Sequence, residues 1–369
     1  MHIFNFYNGK KEKKKRKPRV AILFRITACF LVLSFLILSP AFLFDRNLYK
    51  QDINEFFNMN LDTTVLSLVH VETFEGSLSS RAKYLEKQIT LFNKTKKDVY
   101  VTVKTLTPEE LKTNFEKDFC DIVSFGFGVG EFLKENLVEL KNIKIKKEFL
   151  NSAKVDNKIL AYPYSFGGYV AITRETNLSD KNIGEITIKD KNKKEYSLGF
   201  AKNGFTNIAG ALIKNNISTP KNLFYENNLS TYKMYENFLS NKFATLVGTT
   251  RDVVRCKDRE IKGSLTSCCY KYLGGYTDLV QYMGITSTNL KKIAIAQEFL
   301  EFMLKEENQK SLNKVGLFSC VVDNIYTEGY LKEFEEVLSK DLVVPNAFLS
   351  TKEIENLKME DFKKVVYEI

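Results

Sequence analysis

The residues able to do covalent or acid–base chemistry in this chain are few. Histidine occurs only at His2 and His70. A Ser-His-Asp triad would have to run through His70, and a cluster of histidine metal ligands is impossible. His70 lies in the β-like run Val65-Leu66-Ser67-Leu68-Val69-His70-Val71, where a structural strand residue is expected rather than a base. The acid pairs Glu109/Glu110 and Glu335/Glu336 read as exposed helix faces, not as buried dyads. The cysteines are Cys29, Cys120, Cys256, Cys268, Cys269 and Cys320, with no CxxC spacing, so no zinc site is signalled. Cys256 can pair with Cys268 or Cys269 if the compartment oxidises thiols, and buried free thiols are the default. Gly126-Phe127-Gly128-Val129-Gly130 has neither the spacing of a dinucleotide loop nor a following Gly-Lys-Ser/Thr. The expectation is therefore no enzyme, no cofactor and no metal. Binding chemistry remains, and with tryptophan absent any aromatic platform must be Tyr or Phe.

Two stretches carry that chemistry. The first is Ala161-Tyr162-Pro163-Tyr164-Ser165-Phe166-Gly167-Gly168-Tyr169, followed by a strand-like run to Thr173. Pro163 fixes its own φ and removes a donor, and the glycines allow a turn or a close approach. A rigid residue, three aromatics, two glycines and a new strand suit a crossover between two lobes beside a cleft. An ordinary loop entering a strand has the same signature. The second stretch is Phe243 to Arg255: a buried strand, Gly248, Thr249, Thr250, then Arg251-Asp252 at a helix start. Hydroxyls, guanidinium and carboxylate at a strand's carboxyl end can hold a polar ligand, or form a solvated cap and a surface ion pair.

The elements around these stretches read as α/β. Thr64–Val71 is a first buried strand. Leu78, Ala82, Leu85, Ile89 and Phe92 mark one helix face. Val99, Val101 and Val103 alternate as a second strand. Thr107-Pro108-Glu109-Glu110 is a capping box with Pro at the first helical position. Asp121–Phe125 is a third strand, and a short helix spans roughly Gly130–Leu140. This βαβαβα order signals a mostly parallel sheet with covering helices. Leu290–Asn313 reads as one long helix.

The formal net charge of +10 is concentrated ahead of residue 26, and the remainder is close to neutral, so nucleic acid is not an expected partner. Ile26–Phe44 is an apolar run of 19 residues without a charge. About 20 such residues span a bilayer. The basic flank keeps residues 1–25 cytoplasmic and places everything after Asp45 outside. Ser39-Pro40-Ala41 offers a signal-peptidase site, while the length and flank equally suit an uncleaved anchor. Residues 45–63 form a linker.

In this order the segments resemble the bacterial extracellular solute-binding proteins of the sugar-binding class, the binding subunits of ABC importers. They are Glu75-Gly76-Ser77 with Ser80-Arg81, Asp121–Gly126, Tyr162–Tyr169, Leu246–Asp252, and the late helix Ala296–Gln309 ending in Gly316-Leu317-Phe318-Ser319. Cys120 stands where such proteins often have Pro. The resemblance implies the type II periplasmic-binding fold, with hinge strands joining two lobes. Lobe one would be about Thr64–Tyr162 plus Ala244–Thr286, and lobe two Pro163–Phe243 plus Ser287–Ile369. Carried over residue by residue, it implies a ligand site of Glu75, Gly76 and Ser77, Asp121 and Ser124, an aromatic wall of Tyr164, Phe166 and Tyr169, and Thr249, Arg251 and Asp252 across the cleft. The implied partners are a sugar or oligosaccharide, ABC permease subunits, and the membrane through residues 26–44, with the protein a monomer. The alternative is a membrane-anchored sensor or structural protein that keeps the fold without transport.

Overall fold

The computed structural model describes residues 63–74, 76–96, 98–114, 119–174, 186–189, 193–202, 204–218, 223–224 and 229–366, with 27, 30 and 32–34 near the N-terminus. Most of the apolar segment 26–44 and all but residue 63 of the linker lie outside these residues. Among the described residues no helix is long and apolar enough to cross a membrane.

Strand β1 (Thr64–Val71) leads to helix α1 (Arg81–Thr95). Ser80 caps α1 by accepting from the Lys83 N–H at 3.3 Å. Leu85, Ile89 and Phe92 form its buried stripe, as their spacing predicts. Strand β2 (Val99–Leu106) and helix α2 (Pro108–Asn114) follow. The predicted capping box opens α2. Thr107 Oγ1 accepts from the Glu110 N–H at 3.2 Å, and the Glu110 carboxylate accepts from the Thr107 N–H at 2.7 Å. Strand β3 (Ile122–Gly126) is buried throughout, and α3 (Gly130–Leu133) is shorter than expected, giving way to a 3-10 turn. Helix α4 (Lys147–Ser152) and the hairpin β4 (Lys154–Val155) and β5 (Lys158–Ile159) bring the chain to β6 (Tyr162–Phe166) and β7 (Tyr169–Arg174).

The next elements are the hairpin β8 (Ile188–Lys189) and β9 (Glu195–Tyr196), then β10 (Leu198–Gly199), α5 (Ile208–Lys214), β11 (Leu223–Phe224) and α6 (Thr231–Leu239). Strand β12 (Thr245–Thr249) runs into α7 (Thr250–Ile261), and β13 (Cys268–Leu273) and β14 (Val280–Ile285) come after it. Helices α8 (Leu290–Met303) and α9 (Glu306–Lys310), strand β15 (Phe318–Ser319), α10 (Tyr330–Leu338) and α11 (Thr351–Val365) close the chain. The expected single helix over 290–313 breaks at Leu304–Lys305. Asn308 and Gln309 side chains turn back to bond the Phe302 and Met303 carbonyls at 2.7 and 2.9 Å, satisfying acceptors that the end of a helix leaves open.

These strands build two sheets. One has six strands in the order β15-β6-β14-β3-β1-β2, and the other five in the order β11-β10-β12-β7-β13. The first pairs β1 and β3 in parallel and adds β14 and β6 antiparallel; the second pairs β10 in parallel with β11 and β12 and holds β7 antiparallel between β12 and β13. The expected lobe boundaries need correction. Residues 245–273 belong to the second sheet, because β12 and β13 both pair with β7. Helix α8 packs instead on β14 and α1 of the first sheet. Lobe one is thus built on β1–β3, β6, β14 and β15, and lobe two on β7 and β10–β13.

The chain crosses between the sheets at Gly167-Gly168 and at Gly274–Leu279. The crossings are tied to each other: the Gly167 N–H donates to the Leu279 carbonyl at 2.7 Å, and Thr277 Oγ1 donates to the Gly167 carbonyl at 2.7 Å. At Gly168 a Cβ would lie 2.6 Å from the Phe334 ring, so helix α10 seats directly on the crossing. Helix α11 adds a third link. Its start bonds lobe one through the Thr351 N–H to Glu131 at 2.7 Å, and its later part bonds lobe two through Asn207 Nδ2 to Asp361 at 2.6 Å.

Candidate ligand-binding cleft

Between the lobes lies a cleft of about 610 Å³, within the size range of small-molecule sites. It opens at the carboxyl ends of β1, β2 and β12, where α/β sheets bind ligands. Glu72, Thr73 and Phe74 reach it directly after β1, and Pro108 and Glu109 reach it at the start of α2. Lobe two contributes Tyr169 from the start of β7, Phe205 and Thr206, Ser230 to Tyr232 at the start of α6, and Thr249, Arg251 and Asp252. Beside it is a smaller cavity of about 390 Å³ lined by Glu72, the 76–80 loop and Arg251.

Of the expected site residues, the structure brings Tyr169, Thr249, Arg251 and Asp252 to the main cleft, and Gly76 and Ser77 to the adjoining cavity. Glu75 lies outside the described residues. Thr249 and Asp252 also cap helix α7: the Thr249 N–H donates to Asp252 Oδ2 at 3.0 Å, and Arg255 Nη1 pairs with Oδ1 at 3.1 Å. Burial pushes the Asp252 carboxyl up, and the Thr249 N–H and Arg255 pull it back down. Half-buried Arg251 makes no hydrogen bond or ion pair with any described residue.

The other four expected residues are not on the wall. Asp121 sits at the amino end of β3, away from the cleft. It accepts from the Ser67 N–H at 2.9 Å and from Lys292 Nζ at 3.0 Å, so it joins β1, β3 and α8. Ser124 and Tyr164 are fully buried beneath the cleft. Ser124 Oγ bonds His70 Nδ1 at 3.1 Å, the Tyr164 hydroxyl at 3.0 Å and Gln281 Nε2 at 2.9 Å. Tyr164 stacks on Tyr84 with ring centroids 6.4 Å apart. Phe166 packs in the core between Phe149 and Phe318, at 4.6 and 5.4 Å. The aromatic wall is therefore corrected to Phe74, Tyr169, Phe205 and Tyr232.

Sequence reasoning passed over Phe74, Phe205, Tyr232, Glu72 and Glu109. One signal was available for Phe74, which immediately precedes the Glu75-Gly76-Ser77 loop. Tyr232 is 53% exposed, a large aromatic left open at the cleft. Phe74 is held from behind by Arg81, whose guanidinium stacks 4.1 Å from the ring centre while donating to Gln281.

Beside the hinge, the Tyr169 hydroxyl donates to Asp278 Oδ1 at 2.5 Å, and the Asn207 N–H donates to Oδ2. Asp278 thus ties the second crossing to the first strand after the other crossing and to the start of α5. Burial raises its carboxyl to about 6, against the pull of those two donors. Burial, then Asp278, drives the Tyr169 hydroxyl well above the usual phenol range. Burial, with Arg81 behind it, lowers His70 to about 3, so its imidazole is neutral. Among the described residues no group of His, Cys, Asp and Glu could hold a metal ion.

No protein-family model and no curated protein matches the sequence. Solved structures do match. The GacH receptor of Streptomyces glaucescens, studied unliganded and with acarbose, is 12% identical; the match covers 81% of this chain and 92% of that one, with a TM-score of 0.56. The chain has the two-lobed fold of the solute-binding proteins. A family 1 extracellular solute-binding protein from Bifidobacterium longum subsp. infantis gives a TM-score of 0.55 at 14% identity, covering 82% of this chain and 96% of that one. Iron-bound HitA from Pseudomonas aeruginosa gives 0.50 at 14% identity, covering 81% and 99%. One fold thus serves cargoes of different chemistry, and the choice among them falls to the cleft.

Proposed function

We propose that this chain is the extracytoplasmic substrate-binding component of an ABC importer. It captures a sugar or oligosaccharide between its lobes and delivers it to membrane permease subunits. The observation that carries this reading is the cleft wall: Phe74, Phe205 and Tyr232 offer flat apolar faces, with Thr73, Thr206, Thr249, Glu72, Glu109 and Arg251 set among them. Sugar C–H surfaces pack on aromatic faces, and hydroxyls pair with charged and polar side chains. Such a ligand shifts an open–closed equilibrium toward the closed form, which a permease can recognise. The neighbours bound to acarbose support the sugar class.

The basic residues 10–25 and the apolar segment 26–44 fit a cytoplasmic tail followed by a signal peptide or anchor, which would hold a monomeric binding protein at the outer membrane surface. Chemistry is not part of this reading.

A thermal-shift screen of the purified protein against mono- and oligosaccharides, polyols, amino acids, peptides and ferric citrate tests it. A ligand that binds only the folded state adds about 2.7 kcal/mol of stability at a hundred times its Kd. A shift confined to saccharides, lost on Tyr232→Ala, supports the proposal. A shift with another class replaces the cargo, and no shift with a folded protein removes the binding role.

A further inference from the structure

Cys256 and Cys268 face each other across the contact between α7 and β13 in lobe two. Cys256 is fully buried on the helix, and Cys268 is buried at the first position of the strand. One turn further along the helix, Glu260 accepts from the Cys268 N–H at 3.0 Å and from the Tyr270 hydroxyl at 2.6 Å. Residues four apart share a helix face, so this anchor places Cys256 over the same end of β13. Cys268 lies near enough to Cys256 to raise the Cys256 thiol, while its own Sγ donates to the Thr266 carbonyl at 3.5 Å. Neighbouring strand residues point to opposite sides of a sheet. Cys269 therefore turns away from α7, and of the two partners open to Cys256 in the sequence the fold selects Cys268.

We infer that Cys256 and Cys268 are a cross-linking site, forming a disulfide that staples α7 to β13 when the chain folds in the presence of a disulfide oxidant. In the structure both are free thiols. The neighbouring Cys268 thiol, then burial, hold the Cys256 thiol far above its usual range, so the reactive thiolate belongs to the folding chain, where these residues meet solvent. There the Cys256 thiolate, having released its proton, attacks one sulfur of the oxidant, and the other sulfur leaves and is protonated. The Cys268 thiolate then attacks the Cys256 sulfur of the mixed disulfide and expels the remaining oxidant sulfur as a thiol. The chain loses two protons and two electrons, and the oxidant gains both. The helix so fixed carries Thr249, Arg251 and Asp252 at its amino end, so the bond braces one wall of the cleft. Occurrence of the bond in the cell rests on the extracytoplasmic reading, since cytosolic thiols are kept reduced.

The test is refolding of the full chain from denaturant with a mixture of reduced and oxidised glutathione, followed by acid quench, alkylation and peptide mapping. A cross-linked peptide pair holding Cys256 and Cys268, with a Tm roughly 5–10 °C above the reduced protein, is expected. Cys269→Ser should leave both results intact and Cys268→Ser should abolish them. The mapping uses the unaltered chain, so it stands even where Cys268→Ser folds poorly. Alkylation of both Cys256 and Cys268 in refolded protein, or a bond from Cys256 to Cys269, overturns the inference. A chain that forms the bond yet binds no solute keeps the cross-link and loses only the proposed function.

Discussion

Phe205 occupies the space that a side chain at Gly128 would need. A Cβ on Gly128 would lie 2.3 Å from Phe205 Cδ1, and the residue has a φ of +85°. Gly128 sits in the turn after β3 of lobe one, while Phe205 comes from lobe two and lines the cleft. The ring is seated across the interlobe gap, with Lys112 of lobe one 5.2 Å from its centre. This contact gives the glycine-rich run after β3 its reason, which is packing rather than phosphate binding.

Gly128→Ala should therefore push the lobes apart. The positive φ alone costs about 1 kcal/mol, and displacement of the ring adds to it. Small-angle scattering should show a larger radius of gyration than wild type. Combining it with Phe205→Ala should recover part of the lost stability in urea melts, because the two residues are in contact and their effects are not additive. Strict additivity would mean that the contact does not matter in solution.

Arg251 and Tyr164 should separate binding from packing. Arg251→Ala removes a side chain that makes no hydrogen bond or close ion pair with a described residue and acts on Asp252 only through its charge, so the unliganded Tm should move little, within about 0.5 kcal/mol of stability. Ligand affinity should fall about tenfold or more, the scale of a lost charge-assisted hydrogen bond. Tyr164→Ala should do the reverse at first reading, costing about 3–5 kcal/mol through an internal void. Calorimetric titration beside thermal melts of both variants would reveal whether the roles are instead exchanged.

Asp121→Ala tests the structural role of a carboxylate that the family resemblance implies for the ligand site. It leaves Lys292 without its partner and Ser67 without its acceptor, and should cost about 3 kcal/mol. Affinity of the surviving folded protein should stay near wild type. A large loss of affinity with unchanged stability would restore Asp121 to the site.

Two buried groups give stability opposite pH slopes. Asp278 has its carboxyl raised from 3.8 to about 6. Its contribution is fully present below pH 3.8 and is lost as pH rises through 6, a change of about 3 kcal/mol. His70 is lowered from 6.5 to about 3, so its contribution is present above 6.5 and is lost as pH falls, by roughly 2 kcal/mol at pH 5. Urea midpoints of wild type, Asp278→Asn and His70→Gln between pH 4 and 8 read the two slopes. The first variant should remove the loss on raising pH from 4 to 6, and the second the loss on acidification. Parallel curves for all three would show that neither group titrates as its surroundings dictate.

Much of the architecture is legible in the chain because it is local. The Thr107–Glu110 capping box, the Leu85–Phe92 stripe of α1 and the strand-to-helix passage at Thr249 are decided by neighbours within a turn or two. The crossing at Gly167-Gly168 is marked by residues that permit it. Membership of the lobes is different. Strands β12 and β13 join lobe two because both pair with β7, about a hundred residues upstream at the far end, and no local signal states that pairing. The same limit governs the site. Tyr164 and Tyr169 look alike in sequence and both are buried, yet Tyr164 packs inside lobe one against Tyr84 while Tyr169 underlies the cleft with its hydroxyl on Asp278, because strand register and sheet face set side-chain direction. The order of elements and the scarcity of catalytic groups are legible in the chain, and so is the stretch that holds the first crossing; the expected breaks at Tyr162-Pro163 and Phe243-Ala244 instead fall at Gly167-Gly168 and Gly274–Leu279, since strand pairing sets them. Which aromatics line the cleft follows from the tertiary fold alone, since Phe74 of lobe one converges with Phe205 and Tyr232 of lobe two from more than a hundred residues away.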